Sequence, residues 1–252
     1  MENKTVEYGN WVSLRLVLMP GVLALLLGGS AVFLPPLGIA AGFFLLVSAY
    51  FAYARYAFSP KGRDIQAKAL DLVLSHVPEG DGEGKALDIG CGSGALAIRI
   101  AKRYPNARVV GIDRWSGGWG SSKRLCERNA SLEGVAERVS FEAADAASLP
   151  FDDEAFDLAV SNFVFHEVRG VRDKRRLLNE ALRVVKAGGC FVFQDLFLWR
   201  LVYGEIDDLL DTVRSWGVES VEFIDTSGSA FIPRTLKLPF MLGTAGILRG
   251  KK

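Results

Sequence analysis

The chain has 252 residues, half of them apolar and 23% charged, which excludes a disordered protein and suits one or two packed domains. Thirty basic residues balance 29 acidic ones, so no excess of positive charge points to nucleic acid and no acidic bias points to a solvating tail. The charges are unevenly spread. Residues 1–60 carry only Glu2, Lys4, Glu7, Arg15 and Arg55, with 39 uncharged residues between the two arginines, whereas the other 192 residues hold 27 basic and 27 acidic side chains. This excludes both a uniformly soluble globule and membrane spans along the whole length.

An uncharged run of 39 exceeds one span, which takes about 20 residues to cross roughly 30 Å of hydrocarbon. Pro35-Pro36 divides it into segments 16–34 and 37–54. Two prolines cannot sit inside a continuous helix but can make a tight connection. The pattern predicts a helical membrane hairpin over residues 1–60, with Pro20 near the start of its first span, where a missing N–H is least costly. Trp11 precedes the first span, and Tyr50, Phe51, Tyr53, Tyr56 and Phe58 close the second, at the depth where aromatic rings favour the headgroups. Gly28, Gly29, Ser30 and Ala31 in the first span, with Gly38, Ala40, Ala41 and Gly42 in the second, permit close helix packing. Lys4 and Arg15 precede the spans, Arg55, Lys61, Arg63 and Lys68 follow them, and the turn has no charge, so both flanks are expected on the cytoplasmic side. The alternatives are a buried helical pair or a cleaved signal peptide. The apolar region of a signal peptide is only about 7–15 residues, although Gly28-Gly29-Ser30 has the small residues of a cleavage region.

From residue 61 apolar runs alternate with amphipathic stretches. The pattern predicts helices over 63–76, 95–104, 121–133, 172–186 and 201–216. It predicts strands over 85–89, 108–112, 139–142, 156–161, 189–196, 218–225 and 238–248. Helices alternating with buried strands imply an α/β domain over 61–252 with a doubly wound sheet. Three dispersed cysteines (Cys91, Cys126, Cys190) and two histidines show no zinc spacing, so no metal is expected. An odd cysteine count suits free thiols. His76 falls on the apolar side of its helix, which suits a core or helix-end role.

The sharpest local signal is Ala86-Leu-Asp-Ile-Gly-Cys-Gly-Ser-Gly-Ala95, after a strand and opening a helix. Glycines there let a ligand approach the backbone, and the helix start presents free N–H groups. Gly90, Gly92 and Ala95 also satisfy a dinucleotide pattern, with Asp113 about 20 residues on to hold a ribose, so an NAD-dependent oxidoreductase is one reading. Against it, Asp88 lies two residues before the first glycine, where a pyrophosphate would be repelled and a cationic ligand favoured.

With its third glycine at Gly94, the loop resembles that of the class I S-adenosylmethionine-dependent methyltransferases, and the likeness extends over about residues 64–252. The resemblance implies a Rossmann-like sheet, mostly parallel with an antiparallel last strand, and S-adenosyl-L-methionine as cofactor. It implies that Asp88, Gly90, Gly92 and Gly94 wrap the methionine part of the cofactor, with Cys91 inside the same loop either at the cofactor or serving as a small packing residue. Asp113 and its neighbour Arg114 would meet the ribose, Asp145 and Ala146 the adenine, and Asn162, at the end of strand four, would line the pocket. Leu149-Pro150-Phe151 and Phe156-Asp157 resemble the family's lead into strand four, and 182–189 its turn before strand five, with Ala187 where proline is usual. Trp115-Ser-Gly-Gly-Trp-Gly120 departs from the family, which starts a helix there; three glycines oppose a helix. Trp115 or Trp119 either stacks on adenine or packs on the body.

Methyl transfer mainly needs alignment, and a base only where the acceptor starts protonated. His166, just beyond strand four, is the candidate base, its other reading being a pocket-lining role; Glu167 and Asp195 are weaker candidates. Asp195 could equally cap a helix, and Cys126 is read as structural. The basic cluster Arg169, Arg172, Lys174, Arg175 and Arg176 is either a solvated face or a contact for anionic headgroups. No Asn-Pro-Pro-Tyr-like motif stands at Ser161-Asn-Phe-Val, so by resemblance methylation of bases or glutamine is disfavoured. The expected protein is an integral membrane methyltransferase with both termini and its catalytic domain cytoplasmic. Its expected partners are the bilayer and a small or lipid-like acceptor; no nucleic acid is expected, and the oligomeric state stays open. A non-catalytic membrane scaffold retaining the fold is the remaining alternative.

Overall fold

The structure, a computed structural model, describes residues 5–79, 83–115 and 122–252. They divide into two compact units: residues 9–68, and residues 69–252 together with the segment ending at Tyr8. The boundary expected from the charge pattern lies near residue 60. Residues 61–68 group instead with the hairpin because Gly62 folds tightly against the end of its second helix, leaving only 1.9 Å between the Tyr56 carbonyl and the place a Cβ would occupy. The Trp11 N–H also donates to Gln66 Oε1 at 3.0 Å.

In the smaller unit α1 (Leu14–Ser30) and α2 (Leu37–Phe58) join through a turn at Pro35-Pro36 and pack against each other. The Ser13 hydroxyl caps α1 by accepting from the Arg15 N–H at 3.3 Å. α2 is long and apolar enough to cross a membrane; α1, with 17 residues, sits at the lower bound for a span. Small residues do meet at the seam: a Cβ on Gly28 would lie 3.9 Å from that of Ala41, and one on Gly38 3.8 Å from that of Ala31. Pro20 corrects its expected place. The helix begins at Leu14, so Pro20 lies in its interior and withholds a donor from the carbonyl four residues back. The adjacent Val17 carbonyl receives the Ser48 hydroxyl from α2 at 2.9 Å, and Gly21 leaves the room for it.

The larger unit carries a seven-stranded sheet in the order β3-β2-β1-β4-β5-β7-β6. Its strands are β1 (Lys85–Ile89), β2 (Arg108–Asp113), β3 (Val139–Ala143), β4 (Phe156–Asn162), β5 (Val185–Asp195), β6 (Ser220–Asp225) and β7 (Gly246–Lys251). The first five are parallel, and β7 runs antiparallel between β5 and β6, as the family likeness implied. The helices are α3 (Ile65–Ser75), α4 (Ala95–Arg103), α5 (Lys123–Leu132), α6 (Arg175–Arg183), α7 (Arg200–Tyr203) and α8 (Ile206–Ser215). Leu87, Ile89, Phe165, Leu177, Phe191 and Phe193 are fully buried in the main core. The strand order reverses between β1 and β4, so a crevice opens at the carboxyl ends of these strands.

Three expected elements are corrected. The last strand starts at Gly246 rather than 238, because Gly243 closes a turn in which a Cβ would stand 2.2 Å from the Lys237 carbonyl. The helical stretch 201–216 is two helices, parted at Gly204 with φ +78°. The loop expected before strand five is a bulge within β5. Val185 pairs with Phe156, and pairing resumes only at Cys190 with Leu158, so Lys186–Gly189 are looped out.

Candidate active site

The glycine loop is shaped from beneath. Gly90 and Cys91 both donate to the Ile112 carbonyl, at 2.8 and 2.9 Å, and Gly94 donates to the Cys91 carbonyl at 2.8 Å. Gly90, Gly92 and Gly94 have φ of +75°, +55° and +83°, a region that favours glycine. They serve different ends. A Cβ on Gly90 would strike Val164 at 2.2 Å and one on Gly94 would strike Phe141 at 2.9 Å, whereas one on Gly92 would meet nothing within 4 Å. Gly92 is therefore the loop position that opens onto free space.

Asp88 lies elsewhere than its expected role implies. It is 1% exposed, and its Oδ2 accepts the Ala97 N–H at 2.9 Å. Gly94, which caps α4, has no side chain to offer, so Asp88 serves the first turn of the helix from below. A direct charge contact with a cationic ligand is thereby replaced by a structural one. Burial pushes the Asp88 carboxyl up to about 7, the Ala97 N–H opposes this, and Asp113 adds to it. Cys91 likewise faces inward: it is buried, its Cβ lies 3.1 Å from where a Gly111 side chain would begin, and its N–H is spent on Ile112. Burial first, then Cys126, pushes the Cys91 thiol well up.

Asp113 stands at the carboxyl end of β2. Its Oδ2 accepts the Gly92 N–H at 2.9 Å and its Oδ1 accepts the Trp115 N–H at 2.7 Å, leaving further lone pairs on both oxygens. The Trp115 indole N–H donates to the Gly92 carbonyl at 2.8 Å, so this tryptophan lies against the loop; the Cys126 thiol donates to the same carbonyl at 3.1 Å. Trp119 lies outside the described residues. Arg114 reaches Asp145 at 3.5 Å, linking the ends of β2 and β3, and Asp145 Oδ1 accepts the Ala147 N–H at 2.9 Å beside buried Ala146. Asn162 ends β4, and its Oδ1 is buried without a hydrogen-bond partner among the described residues.

His166 is paired in a way the sequence did not reveal. Its Nδ1 lies 2.6 Å from Asp195 Oδ1, across 29 residues of chain. Asp195 is fully buried at the end of β5, where Oδ2 accepts the Phe165 N–H at 2.8 Å and Oδ1 the Leu196 N–H at 2.6 Å. The carboxylate thus fixes the imidazole with its proton on Nδ1 and its lone pair on Nε2, which lies 3.9 Å from Glu167 Oε1. Burial pulls the His166 pKa down, but Asp195, by charge and hydrogen bond, and then Glu167 outweigh it, so the net shift is upward. Burial raises the Glu167 carboxyl. In the basic cluster, Arg175 is spent on Asp173 at 2.8 Å and Lys174 on the Val168 carbonyl. His76 ends α3 with Nδ1 2.8 Å from the Leu72 carbonyl.

These residues fit S-adenosylmethionine. An open glycine backbone, a carboxylate with spare lone pairs for hydroxyls, a second carboxylate one strand over and an unpartnered amide oxygen line one crevice end. Such a fold and crevice define a nucleoside-binding α/β domain. Residues 87–193 match the family model described as a methyltransferase domain. The chain is 29% identical over 188 residues to a demethylmenaquinone methyltransferase of Thermus thermophilus, covering 71% of this chain and 79% of that protein. It is 34% identical over 130 residues to a malonyl-(acyl-carrier protein) O-methyltransferase of Geobacter sulfurreducens, covering 51% of this chain and 45% of that one. It spans 33–45% of the length of seven curated relatives besides the Thermus protein. A geranyl diphosphate C-methyltransferase of Streptomyces coelicolor shares the fold at a TM-score of 0.58 and 14% identity, over 76% of this chain and 80% of that one. Residues 87–193 are thus a methyltransferase domain on this fold, with S-adenosylmethionine as its cofactor.

The buried Asp88 carboxyl makes a testable demand. Its folded pKa lies above the unfolded value of 3.8, so the stability linked to its proton is full at low pH and is lost as pH rises through about 7. Asp88→Asn keeps an acceptor for Ala97 without the charge. Between pH 5 and pH 8 the Tm of the wild type is expected to fall by a few degrees relative to the variant, since about 1 kcal/mol moves Tm by about 2–4 °C at this size. Thermal melts of both proteins across that range check this; parallel pH curves would contradict it.

Proposed function

We propose that this protein is a membrane-anchored methyltransferase acting on an amphipathic, lipid-like acceptor such as a quinone precursor, with both termini and the catalytic domain cytoplasmic. One observation carries the proposal. Of the 21 exposed large apolar side chains among the described residues, 17 lie between Leu14 and Tyr56. Leu25, Val32, Phe33 and Ile39 are each more than three-quarters exposed, a surface that water does not favour and hydrocarbon does. The cationic flanks and uncharged turn support the orientation. The Thermus relative's name, demethylmenaquinone methyltransferase, supports the acceptor class.

In this reading Gly92, Gly94, Asp113, Arg114, Asp145, Ala146 and Asn162 contact S-adenosylmethionine, while Asp88, Gly90 and Cys91 hold the loop in shape. The cofactor supplies a methyl group already activated as a sulfonium. His166 Nε2 takes the acceptor's proton where the nucleophile starts protonated, and Asp195 orients the ring and stabilises the imidazolium. A base must be neutral to act, so the raised His166 pKa places the acid limb of the rate above pH 6.5. Asp195→Asn is expected to move that limb to lower pH and to slow transfer about 10²–10⁴-fold, the usual range for a general base. A pH–rate profile unchanged in Asp195→Asn would show that His166 only lines the pocket.

The acceptor and the orientation share one experiment. Inverted membrane vesicles, cytoplasmic face outward, receive methyl-labelled S-adenosylmethionine, which as a charged solute stays outside. Label is expected in the organic-solvent extract without permeabilisation, whereas right-side-out vesicles should need detergent. Label confined to polypeptide or water-soluble products would contradict the lipid-like acceptor, and reversed sidedness would contradict the topology. An absence of transfer by folded, cofactor-binding protein would favour a scaffold.

A further inference from the structure

The segment ahead of the hairpin lies on the cofactor loop, and nothing in the methyl-transfer chemistry accounts for it. Thr5–Tyr8 belong to the same compact unit as the sheet, although more than 60 residues separate them in sequence from β1. The hub is Asn129 in α5, which is fully buried. Its Oδ1 accepts the Glu7 N–H at 3.0 Å, and its Nδ2 donates to the Glu7 carbonyl at 2.8 Å and to the Ser93 carbonyl at 3.0 Å. One side-chain amide thus pairs with both backbone groups of Glu7 and with the loop. The Ser93 hydroxyl completes the ring by donating to the Tyr8 carbonyl at 2.9 Å.

The strap is fastened at its ends as well. The Tyr8 hydroxyl donates to Glu133 Oε1 at 3.1 Å, and Lys102 holds the other oxygen of that carboxylate at 2.6 Å. The Arg99 guanidinium stands 5.8 Å from the centre of the Tyr8 ring, and Arg128 donates to the Thr5 carbonyl at 3.0 Å. Ser93 lies between Gly92, the position that opens onto the crevice, and Gly94, the cap of α4. Both its hydroxyl and its carbonyl are therefore occupied by the strap network, in a loop whose glycines leave the backbone free to move.

We propose that Glu7 and Tyr8, acting through Asn129 and Ser93, are positioning residues that hold the glycine loop in its binding conformation, so that cofactor affinity depends on the segment leading into the membrane hairpin. Without the strap the loop has to be ordered by the cofactor itself, and affinity falls by the cost of that ordering. Tyr8 is followed at once in the chain by the hairpin unit, so this segment joins the anchor to the cofactor loop by the shortest covalent path.

The inference rests on the glycine loop being the cofactor cradle, and the test separates the two. Full-length protein in lipid nanodiscs is compared with a variant lacking the first eight residues and with Glu7→Pro, which removes the N–H that Asn129 accepts. Amide hydrogen exchange over Gly92–Gly94 is followed without cofactor, and the Kd for S-adenosylmethionine by calorimetry. Loop exchange is expected to speed up in both variants. Kd should rise about tenfold on truncation, on the order of one hydrogen bond, that of the Ser93 hydroxyl to the Tyr8 carbonyl, being lost from the loop itself. The transfer rate at saturating cofactor should fall far less than the affinity, and a synthetic peptide of residues 1–8 should restore loop protection to the truncated protein. If truncation prevents folding, Glu7→Pro carries the test alone. Unchanged loop exchange and Kd in a folded variant would overturn the proposal. Altered exchange in a protein whose wild type binds no S-adenosylmethionine would instead overturn the cradle reading and leave the strap's hold on the loop standing.

Discussion

The site depends on a buried carboxylate beneath a helix that cannot cap itself. α4 begins behind three glycines, which permit the loop's left-handed backbone but offer no side chain to the helix's first N–H groups. Asp88, inside the sheet at β1, reaches up to Ala97 and supplies what the loop lacks. Its burial is unfavourable for a charge, so the proton is held to near neutrality. The same arrangement leaves the Gly92 N–H to Asp113 on the neighbouring strand, so the loop hangs between two carboxylates, one structural and one facing the crevice. Ile112 receives the N–H groups of Gly90 and Cys91, the strap holds Ser93, and Trp115 lies against Gly92. Nearly every polar atom of the loop is thus assigned before any ligand arrives, which reduces the ordering that binding must bring about.

The hairpin turns a largely apolar surface outward. Two of its serine hydroxyls are satisfied within the unit, whereas the Tyr50 hydroxyl is buried without a partner among the described residues. The Ser48 hydroxyl meets the Val17 carbonyl beside Pro20, and the Ser30 hydroxyl bonds back to the Leu26 carbonyl. At its base Asn10 donates to the Arg55 carbonyl at 2.9 Å and Arg55 donates to that of Val12, so Arg55, the second of the two charges that bound the uncharged run, is tied to the segment ahead of α1. Trp11 packs near Phe58 with ring centres 6.0 Å apart, which brings the aromatic residues from the two ends of the run together.

What the sequence made legible was local. Pro35-Pro36 marked the hairpin turn, apolar runs marked β1 to β5, and the glycine spacing marked the left-handed loop between β1 and α4; each signal is written in neighbouring residues. Boundaries failed where one glycine decides the path, as at Gly204 and Gly243. The role of Asp88 was misread because its motif position suggests a ligand contact, whereas burial decides which way the carboxylate points. Pairings between distant segments left no local trace. His166 and Asp195 were both singled out, but their contact across 29 residues was not, and the bond from Glu7 to Asn129 spans 122. A buried Asn in an amphipathic helix, three residues after Cys126 on the same face, was the available hint for the latter.

Calorimetric titration of the full-length, solubilised protein with S-adenosylmethionine and separately with NAD tests the central claim most directly. S-adenosylmethionine is expected to bind, NAD to give no saturable heat, and Asp113→Ala to weaken the former at least about tenfold, since it removes a charged acceptor worth ~1.5–3 kcal/mol. Preferential binding of NAD, or no binding of S-adenosylmethionine by protein that melts cooperatively, would contradict it.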